Sequence, residues 1–367
     1  MTEMLPTELR LTLAPRNRIE AIDVNARIAR EAGDILRRHR RALYCSLHTT
    51  AGYLEQSLSS QIGHDPAALS HFVGAFGDVF PPGAEYRHDQ MELRTELSDA
   101  QKRAEPRNGD SHLTFIWAGL RNCVTYRACP DAPVYFIDLD GASDAMCRQR
   151  ETAVLAYDHE RVVAQTSVGI PVSLHPFDSI NLADPRFGLL EQVNGLLARA
   201  GLERGRVDVA LAPTERHAGL TVNEYETLLM QHDLIDVLRN PLHFARVKGR
   251  SLLDHPRRIP GMTLSYAKYD MVRVLNSLVE ALGLKESSFE RLVAKLMALP
   301  ARRFIRSRRV SFLAAPGPGD TAARVVRGTY QSPILVQWQS AESHERRVDI
   351  AVVQLSSQQQ SSKVVTR

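Results

Sequence analysis

Aromatic residues make up only 6% of this 367-residue chain, and there are four cysteines, Cys45, Cys123, Cys129 and Cys147. None forms a C-x-x-C pair, so neither a thiolate zinc site of ordinary spacing nor a disulfide framework organises the fold. Cys45 and Cys123 lie in apolar surroundings and are expected as buried thiols. That usage fits a reducing, cytoplasmic compartment. No apolar run approaches the ~18 residues of a membrane span, and the first residues lack a charged-then-apolar signal pattern. The formal net charge is only +4, which argues against a nucleic-acid partner, where a concentrated basic face is expected. There is no H-E-x-x-H helix. Ala315-Pro316-Gly317-Pro318-Gly319-Asp320 lacks the spacing and the Lys of a phosphate loop and reads as a plain connection.

What is present is an ordinary globular composition, 44% hydrophobic and 24% charged, long enough for about two domains of roughly 100–200 residues. Two arginine runs stand out, Arg37 to Arg41 and Arg302 to Arg309. Each reads as a solvated element end, with an anion site as the alternative.

The chain repeats itself. His48-Thr49-Thr50-Ala51-Gly52 follows the apolar run Ala42 to Leu47. Ala218-Gly219-Leu220-Thr221-Val222-Asn223-Glu224 follows Val207 to Ala212. A strand (Leu9–Leu13), an amphipathic helix (Ile19–His39) and a strand (Leu43–Leu47) precede the first Ala-Gly. A strand (Ile170–Leu174), a helix (Arg186–Ala200) and a strand (Val207–Ala212) precede the second. Between them, Pro66 to Phe80 reads as a helix, Tyr86 to Arg94 as extended, Ser98 to Asp110 as a loop, and Val134–Leu139, Thr152–Tyr157 and Arg161–Val168 as strands. His112 to Leu120 fits a helix or a strand. Later, Asp270–Leu282 and Ser287–Leu299 carry apolar stripes at helical spacing. Val310–Ala314, Ile334–Gln339 and Arg347–Leu355 read as closing strands, and residues 356–367 as a disordered tail.

The polar chemistry does not repeat. The first copy has His48 and lacks Asn-Glu, carrying Gln56 and Ser57 there. The second has Asn223-Glu224 and puts Glu215 in the histidine's place. Three histidine segments of the first half lie near element ends: His48-Thr49-Thr50, Tyr86-Arg87-His88-Asp89 and Asn108-Gly109-Asp110-Ser111-His112. Three histidines from separate loops can converge on a divalent metal and leave a position open. Thirteen histidines are scattered along the chain, so surface or core placements are the competing reading. His64 and His71 are expected on the surface of the short helix. Asp233, nine residues beyond Glu224, returns towards the same place if the intervening stretch is helical. Gln331 begins a strand after the Gly328-Thr329-Tyr330 turn.

Together these segments resemble the YjbQ family, the secondary thiamine-phosphate synthase-like proteins. His48-Thr49-Thr50-Ala51-Gly52 is similar to that family's opening, and Ala218 to Glu224 to the rest of it. Tyr86-Arg87-His88 resembles Y-x-H, Asn108 to His112 resembles N-x-x-A-H with Ser111 for Ala, Gly328 to Gln331 resembles G-T-W-Q with Tyr330 for Trp, and Arg346-Arg347 resembles the Arg-rich final hairpin. In the first copy G-T-W-Q has no clean match, Gln149 being the nearest candidate.

The resemblance implies an α+β fold of two YjbQ-like domains with antiparallel-rich sheets and packed helices, residues 1–168 and 169–355. It also implies a histidine-centred, metal-binding site, a thiamine-phosphate synthase-like activity and the family's trimeric habit, so a homo-oligomer is possible unless the duplication replaces it. The expected composite site has His48, His88 and His112 as ligands of a divalent metal, zinc being the candidate. Glu224, His48 and Asp233 are its expected catalytic groups. Asn108, Asn223, Gln331 and Arg347 are expected to bind a small phosphorylated or heterocyclic metabolite. The implied class is a lyase, transferase or hydrolase, and the rival is a non-enzymatic binding or structural protein on the same scaffold.

Overall fold

The computed structural model describes residues 4–129, 132–143, 146–239, 244, 305, 307–317, 319–320 and 322–358. The first half runs β1 (Thr7–Leu13), β2 (Glu20–Asp23), α1 (Val24–Ala32), β3 (Arg41–Ser46), β4 (Ala51–Gly52), α2 (Gln56–Gln61), α3 (Pro66–Val79), α4 (Asp99–Ala104), α5 (Gly109–Trp117), β5 (Cys123–Arg127), β6 (Tyr135–Asp138), β7 (Ala142–Ser143), β8 (Met146–Cys147) and β9 (Arg150–Tyr157). The second runs β10 (His159–Pro171), β11 (Asp178–Asn181), α6 (Leu189–Arg199), β12 (Gly205–Leu211), β13 (Ala218–Asn223), α7 (Leu234–Arg239), β14 (Arg309–Pro316), β15 (Ala323–Val326), β16 (Ser332–Gln337) and β17 (Glu345–Ser356). This is an α+β fold in which every described strand pairing is antiparallel.

The sheets of the two halves follow one plan. The order β1-β9-β3-β5 in the first is matched by β10-β17-β12-β14 in the second, where β15 adds an edge, and β2-β6-β4 is matched by β11-β16-β13. The match extends to single bonds. Ser46 donates its N–H to the Asn122 carbonyl and Tyr53 to Arg121, while Leu211 donates to Arg308 and Leu220 to Ser307. Ala51 lies opposite Asp138, and Ala218 opposite Gln337. The Ala-Gly pairs are small for a reason: a Cβ on Gly52 would meet the Arg121 carbonyl, and one on Gly219 would meet Ile305 and the Ser307 carbonyl.

One apolar core belongs to each half, α1 covering the first sheet and α6 the second. Two more are shared. Leu43, Cys45, Leu155 and Tyr157 pack on Leu313, Val353 and Leu355, so the large sheets meet face to face. Helices α3 and α5 pack Phe80, Phe115 and Trp117 into the cluster that holds Leu229, Met230, Ile334 and Val336. This explains the unbroken run Ala42-Leu43-Tyr44-Cys45. Ala42 and Tyr44 face α1 while Leu43 and Cys45 face the other half, so both sides of β3 are buried.

Several sequence expectations are corrected. Residues 20–23 form a strand, and the helix begins at Val24 because the Asp23 carboxylate caps it by accepting from the Ala26 N–H. Tyr86–Arg94 is two 3-10 turns, Arg87–Asp89 and Met91–Leu93, and is not extended. The loop expected over 98–110 contains α4, which a Ser98–Gln101 capping box starts. His112 is helical. Ile170 belongs to the end of β10, so a boundary after residue 168 falls inside that strand and the sheets divide at Asp158. Ser356 ends β17 and Ser357 bridges to Met4, so ordered pairing reaches beyond residue 355. The expected helices 270–282 and 287–299, residues 302–304 and 306 of the second arginine run, and residues 359–367 lie outside the described residues. Among the described residues, no helix is long and apolar enough to cross a membrane.

Gly328 sets the closest approach of the halves, since a Cβ there would collide with the Leu47 carbonyl. Gly328→Ala should cost about 1–3 kcal/mol or more, as overpacking does. Gly74→Ala, in α3 with open space around it, should be neutral or stabilise by about 0.5–1 kcal/mol. Urea unfolding of the two variants checks the contrast. Equal midpoints would show that the 328–331 turn does not press on β3.

Candidate functional site

Polar residues of the two halves meet where α5 passes the end of β13. Asp89 accepts from the Gly109 N–H at 3.0 Å and so fixes the start of α5. Residue 109 must be small, because a Cβ would strike the Tyr86 ring. This start brings Asn108 and His112 into the interior. His112 Nδ1 lies 2.6 Å from Asn223 Oδ1, the last residue of β13. The same Oδ1 accepts from the Glu224 N–H at 2.8 Å, and Asn223 Nδ2 donates to the Thr49 carbonyl at 3.3 Å. The amide oxygen therefore faces His112, whose Nδ1 must carry the proton. The lone pair is left on Nε2, which lies 3.7 Å from Glu224 Oε2.

His88 stands edge-on to His112, ring centroids 5.1 Å apart. Its Nδ1 meets Glu226 Oε2 at 3.1 Å and its Nε2 meets Asn108 Oδ1 at 3.3 Å. Asn108 donates through Nδ2 to Asp140 at 2.7 Å, so its oxygen is the atom turned to His88. Both nitrogens of His88 then donate, which is the imidazolium form. Burial opposes that charge, but the Glu226 hydrogen bond, with Glu224 and Asp89 nearby, outweighs it and raises the pKa above the ordinary histidine value. The Glu226 carboxyl is correspondingly lowered against its own burial, by His88 and by the N–H groups of Leu228 and Leu229.

His112 shifts the other way. Burial, then the charge on His88, holds it well below the ordinary value, so it is neutral. Burial raises Glu224 against the pull of His88 and Arg94. Arg94, itself buried, reaches Glu224 at 3.6 Å and also binds Glu96 and Glu105. Glu224 has 14% of its side chain exposed against 1% for His112, so it is the group of this pair nearer solvent. Burial likewise raises Asp89, to about 6.

The other expected site residues are placed as follows. Asp233 ends the π-helical turn Leu228–Asp233 and accepts from the Arg87 and His88 N–H groups at 3.2 and 3.1 Å. It returns to the site and holds the histidine turn. Gln331 is also spent on the frame. It donates to the Ser46 and His48 carbonyls at 3.0 and 2.8 Å and accepts from the Gly328 N–H. Arg347 is exposed, and its N–H donates to Glu215. Its neighbour Arg346 is the buried arginine, paired with Glu215 and Gln337. The histidine metal centre expected from His48, His88 and His112 is not assembled. His48 Nε2 accepts from the Glu151 N–H at 2.8 Å and has no contact with the other two. Both nitrogens of His88 are donors, and His112 offers one lone pair. Among the described residues no group of three or more His, Cys, Asp or Glu is placed to hold a metal.

Arg94, Asp140 and Glu226 were missed by the sequence reading, as was Arg148, which pairs with Asp140 at 2.8 Å. The signal for the last was Cys147-Arg148-Gln149-Arg150. Arg150, opposite Leu13, binds Asp138, as Arg346, opposite Ile170, binds Gln337.

Burial, then Arg150 and Arg148, depresses His48 to about 4, against about 6.5 for an unfolded histidine. The stability it contributes is complete above pH 6.5 and is lost as pH falls towards 4, because the unfolded state takes up the proton first. His48→Gln should flatten that decline in urea midpoints measured between pH 7 and 4.5. Parallel curves for the two proteins would rule His48 out as the titrating group.

No family profile matches this chain, and no curated protein does either. Solved structures do. A YbjQ-like protein of unknown function from Sulfolobus solfataricus P2 aligns at 14% identity, covering 53% of this chain and 99% of its own, with a TM-score of 0.29. A hypothetical protein from Aeropyrum pernix K1 aligns at 17% identity over 52% of this chain and 97% of its own, with a TM-score of 0.27. An uncharacterized conserved protein of the yjbq family from Clostridium acetobutylicum aligns at 13% identity over 51% of this chain and 98% of its own, with a TM-score of 0.23. The chain is similar to these proteins over about half of its length.

Proposed function

We propose that the chain is a tandem of two diverged YjbQ-like domains and an acid–base enzyme whose site needs both. The shared strand order and the matching hydrogen bonds around the two Ala-Gly pairs support the tandem. The observation that carries the enzyme reading is the pair His112 and Glu224. One comes from each half, they lie 3.7 Å apart, and their environments push their pKa values in opposite directions. Lowering the histidine and raising the carboxyl draws two ordinarily separate proton affinities towards each other, so a proton can pass between them.

His112 presents a neutral Nε2 lone pair to Glu224, which burial inclines to hold its proton. The two share a proton that can pass to or from a substrate reaching Glu224. His88, a fixed imidazolium, supplies positive charge behind His112, and Asn223 keeps the tautomer that leaves Nε2 free. Asp233, Gln331 and Asn108 position these groups. The site works without a histidine-bound metal in this reading. The substrate is a small heterocyclic or phosphorylated metabolite, and the reaction a lyase, transferase or hydrolase step of the thiamine-phosphate synthase-like kind.

One observation favours the rival, a binding or structural protein: His88 and His112 are almost wholly enclosed. The two readings separate by assay. The full chain should form thiamine phosphate, and Glu224→Gln should lower the rate by about 10²–10⁴-fold, the usual worth of a general acid or base. The limb of the pH–rate profile set by Glu224 should vanish with it. Full activity in Glu224→Gln and His112→Asn would sink the acid–base reading; a wild-type chain that makes no thiamine phosphate would remove that substrate.

Asn223→Ala should destabilise by about 1–3 kcal/mol, the cost of leaving a buried donor unpaired, and should lower activity more than affinity. Zinc measured on the purified full chain should be well below one atom per chain. Stoichiometric metal that disappears in His112→Ala would restore the metal reading.

A further inference from the structure

A cavity of about 390 Å³ opens on the same boundary between the halves, and none of its lining residues belongs to the histidine network. Its size suits a small metabolite, since ligand pockets run from about 300 to 1,000 Å³. Arg41, Gln56, Ser57 and Arg121 line it from the first half, and Arg206 and Arg309 from the second. The four guanidinium groups face two lining carboxylates, Glu55 and Glu160.

Those carboxylates are unevenly shared. Glu160 takes both Arg41 and Arg206, at 3.2 and 3.3 Å, and Arg206 also binds Asp208 at 2.8 Å. These two arginines are neutralised and serve as wall. Arg121 and Arg309 are held more loosely, each with one carboxylate at the edge of the cavity or beyond it. Arg121 donates through Nη2 to the half-exposed Glu55 at 3.0 Å and through Nη1 to the Arg309 carbonyl at 3.4 Å. Its Nε is buried and has no acceptor. Arg309 comes no closer to a carboxylate than 3.8 Å, at Asp208, with 63% of its side chain exposed. Burial, and then the charge of Arg309, pull the Arg121 guanidinium below its ordinary pKa despite Glu55. An orphaned buried N–H beside a second cation is a site short of negative charge.

We propose that this cavity is a second binding site, for a small phosphate-bearing metabolite whose phosphate lies between Arg121 and Arg309. A phosphate monoester carries nearly two negative charges at neutral pH. Its oxygens match the planar guanidinium fork, so one group can meet both cations. Leu43, Val124 and Val310 offer apolar wall to the rest of the molecule. The histidine network is the poorer place for a phosphate, because Glu224, Glu226, Asp140 and Asp233 crowd it. The ligand would touch both halves and so favour their docked state.

Calorimetric titration of the full chain with inorganic phosphate and then pyrophosphate, at constant ionic strength, tests this. Saturable binding is expected. Arg309→Gln should weaken it by tenfold or more, and since that side chain is largely exposed the fold should survive. Arg121→Lys, which keeps the charge and loses the fork, should also weaken it. Glu224→Gln should leave it unchanged. Absence of saturable binding at millimolar phosphate, equal affinity in Arg309→Gln, or loss of binding in Glu224→Gln would each overturn the proposal. Tighter binding of citrate than of pyrophosphate would overturn the phosphate assignment.

Discussion

The hydrogen bond from His112 to Asn223 is the contact on which the polar interior depends. Asn223 is fully buried and both ends of its amide are engaged: Oδ1 takes His112 and the Glu224 N–H, and Nδ2 gives to the Thr49 carbonyl. One side chain therefore sets the histidine tautomer, aims the next residue and ties down the loop after β3. Halves docked out of register would leave His112, the Asn223 amide nitrogen and the Thr49 carbonyl buried without these partners, each at about 1–3 kcal/mol. The polar contacts thus make the docking specific, while the two shared apolar clusters supply its driving force.

Steric limits enforce the same geometry from the other side of β3. The Gly328–Gln331 turn can reach the 46–48 segment only because residue 328 has no side chain, and Gln331 then binds the two carbonyls that the strand end leaves open. In the second half Gln337 does the matching task for the Ser173 and His175 carbonyls. Glutamine at these places closes backbone, which is why Gln331 is part of the frame and not a hand held out to a ligand.

The sequence made legible whatever depends on local spacing. The Ala-Gly pairs, the strand order and the complementary loss of polar groups all follow from residues close together in the chain, and the approach of His112 to Glu224 was inferable from that complementarity. What was not legible depends on which atom of a side chain faces where. His48 looks like a metal ligand until the Glu151 N–H is found on its Nε2. His88 looks like one until Glu226 and Asn108 occupy both its nitrogens. Nothing local distinguishes Arg346, buried, from Arg347, exposed, since adjacent strand residues simply face opposite ways. Residues 20–23 were read as helix because Ile22 fits a helical stripe, whereas pairing with β6 decides the matter. Tertiary partners overrode a short periodic signal.

The charges along the boundary are sorted rather than mixed. Around α5 the carboxylates gather, with His88, Arg94 and Arg150 among the buried cations that meet them. Behind β5 and β14 the guanidinium groups gather. Each cluster alone is an unfavourable concentration of one sign in a partly desolvated place, where repulsion is screened far less than at the surface. The carboxylate cluster relieves its strain internally, by raising Asp89 and Glu224 towards the neutral form and by charging His88. Arginine has no such recourse, because its pKa lies too high for neutralisation at any ordinary pH. Arg121 has the half-exposed Glu55 and Arg309 only Asp208 at 3.8 Å, so a partner from outside would complete their balance. A protein that can discharge one cluster by moving protons and the other by taking up an anion has two sites with different chemistry on one boundary.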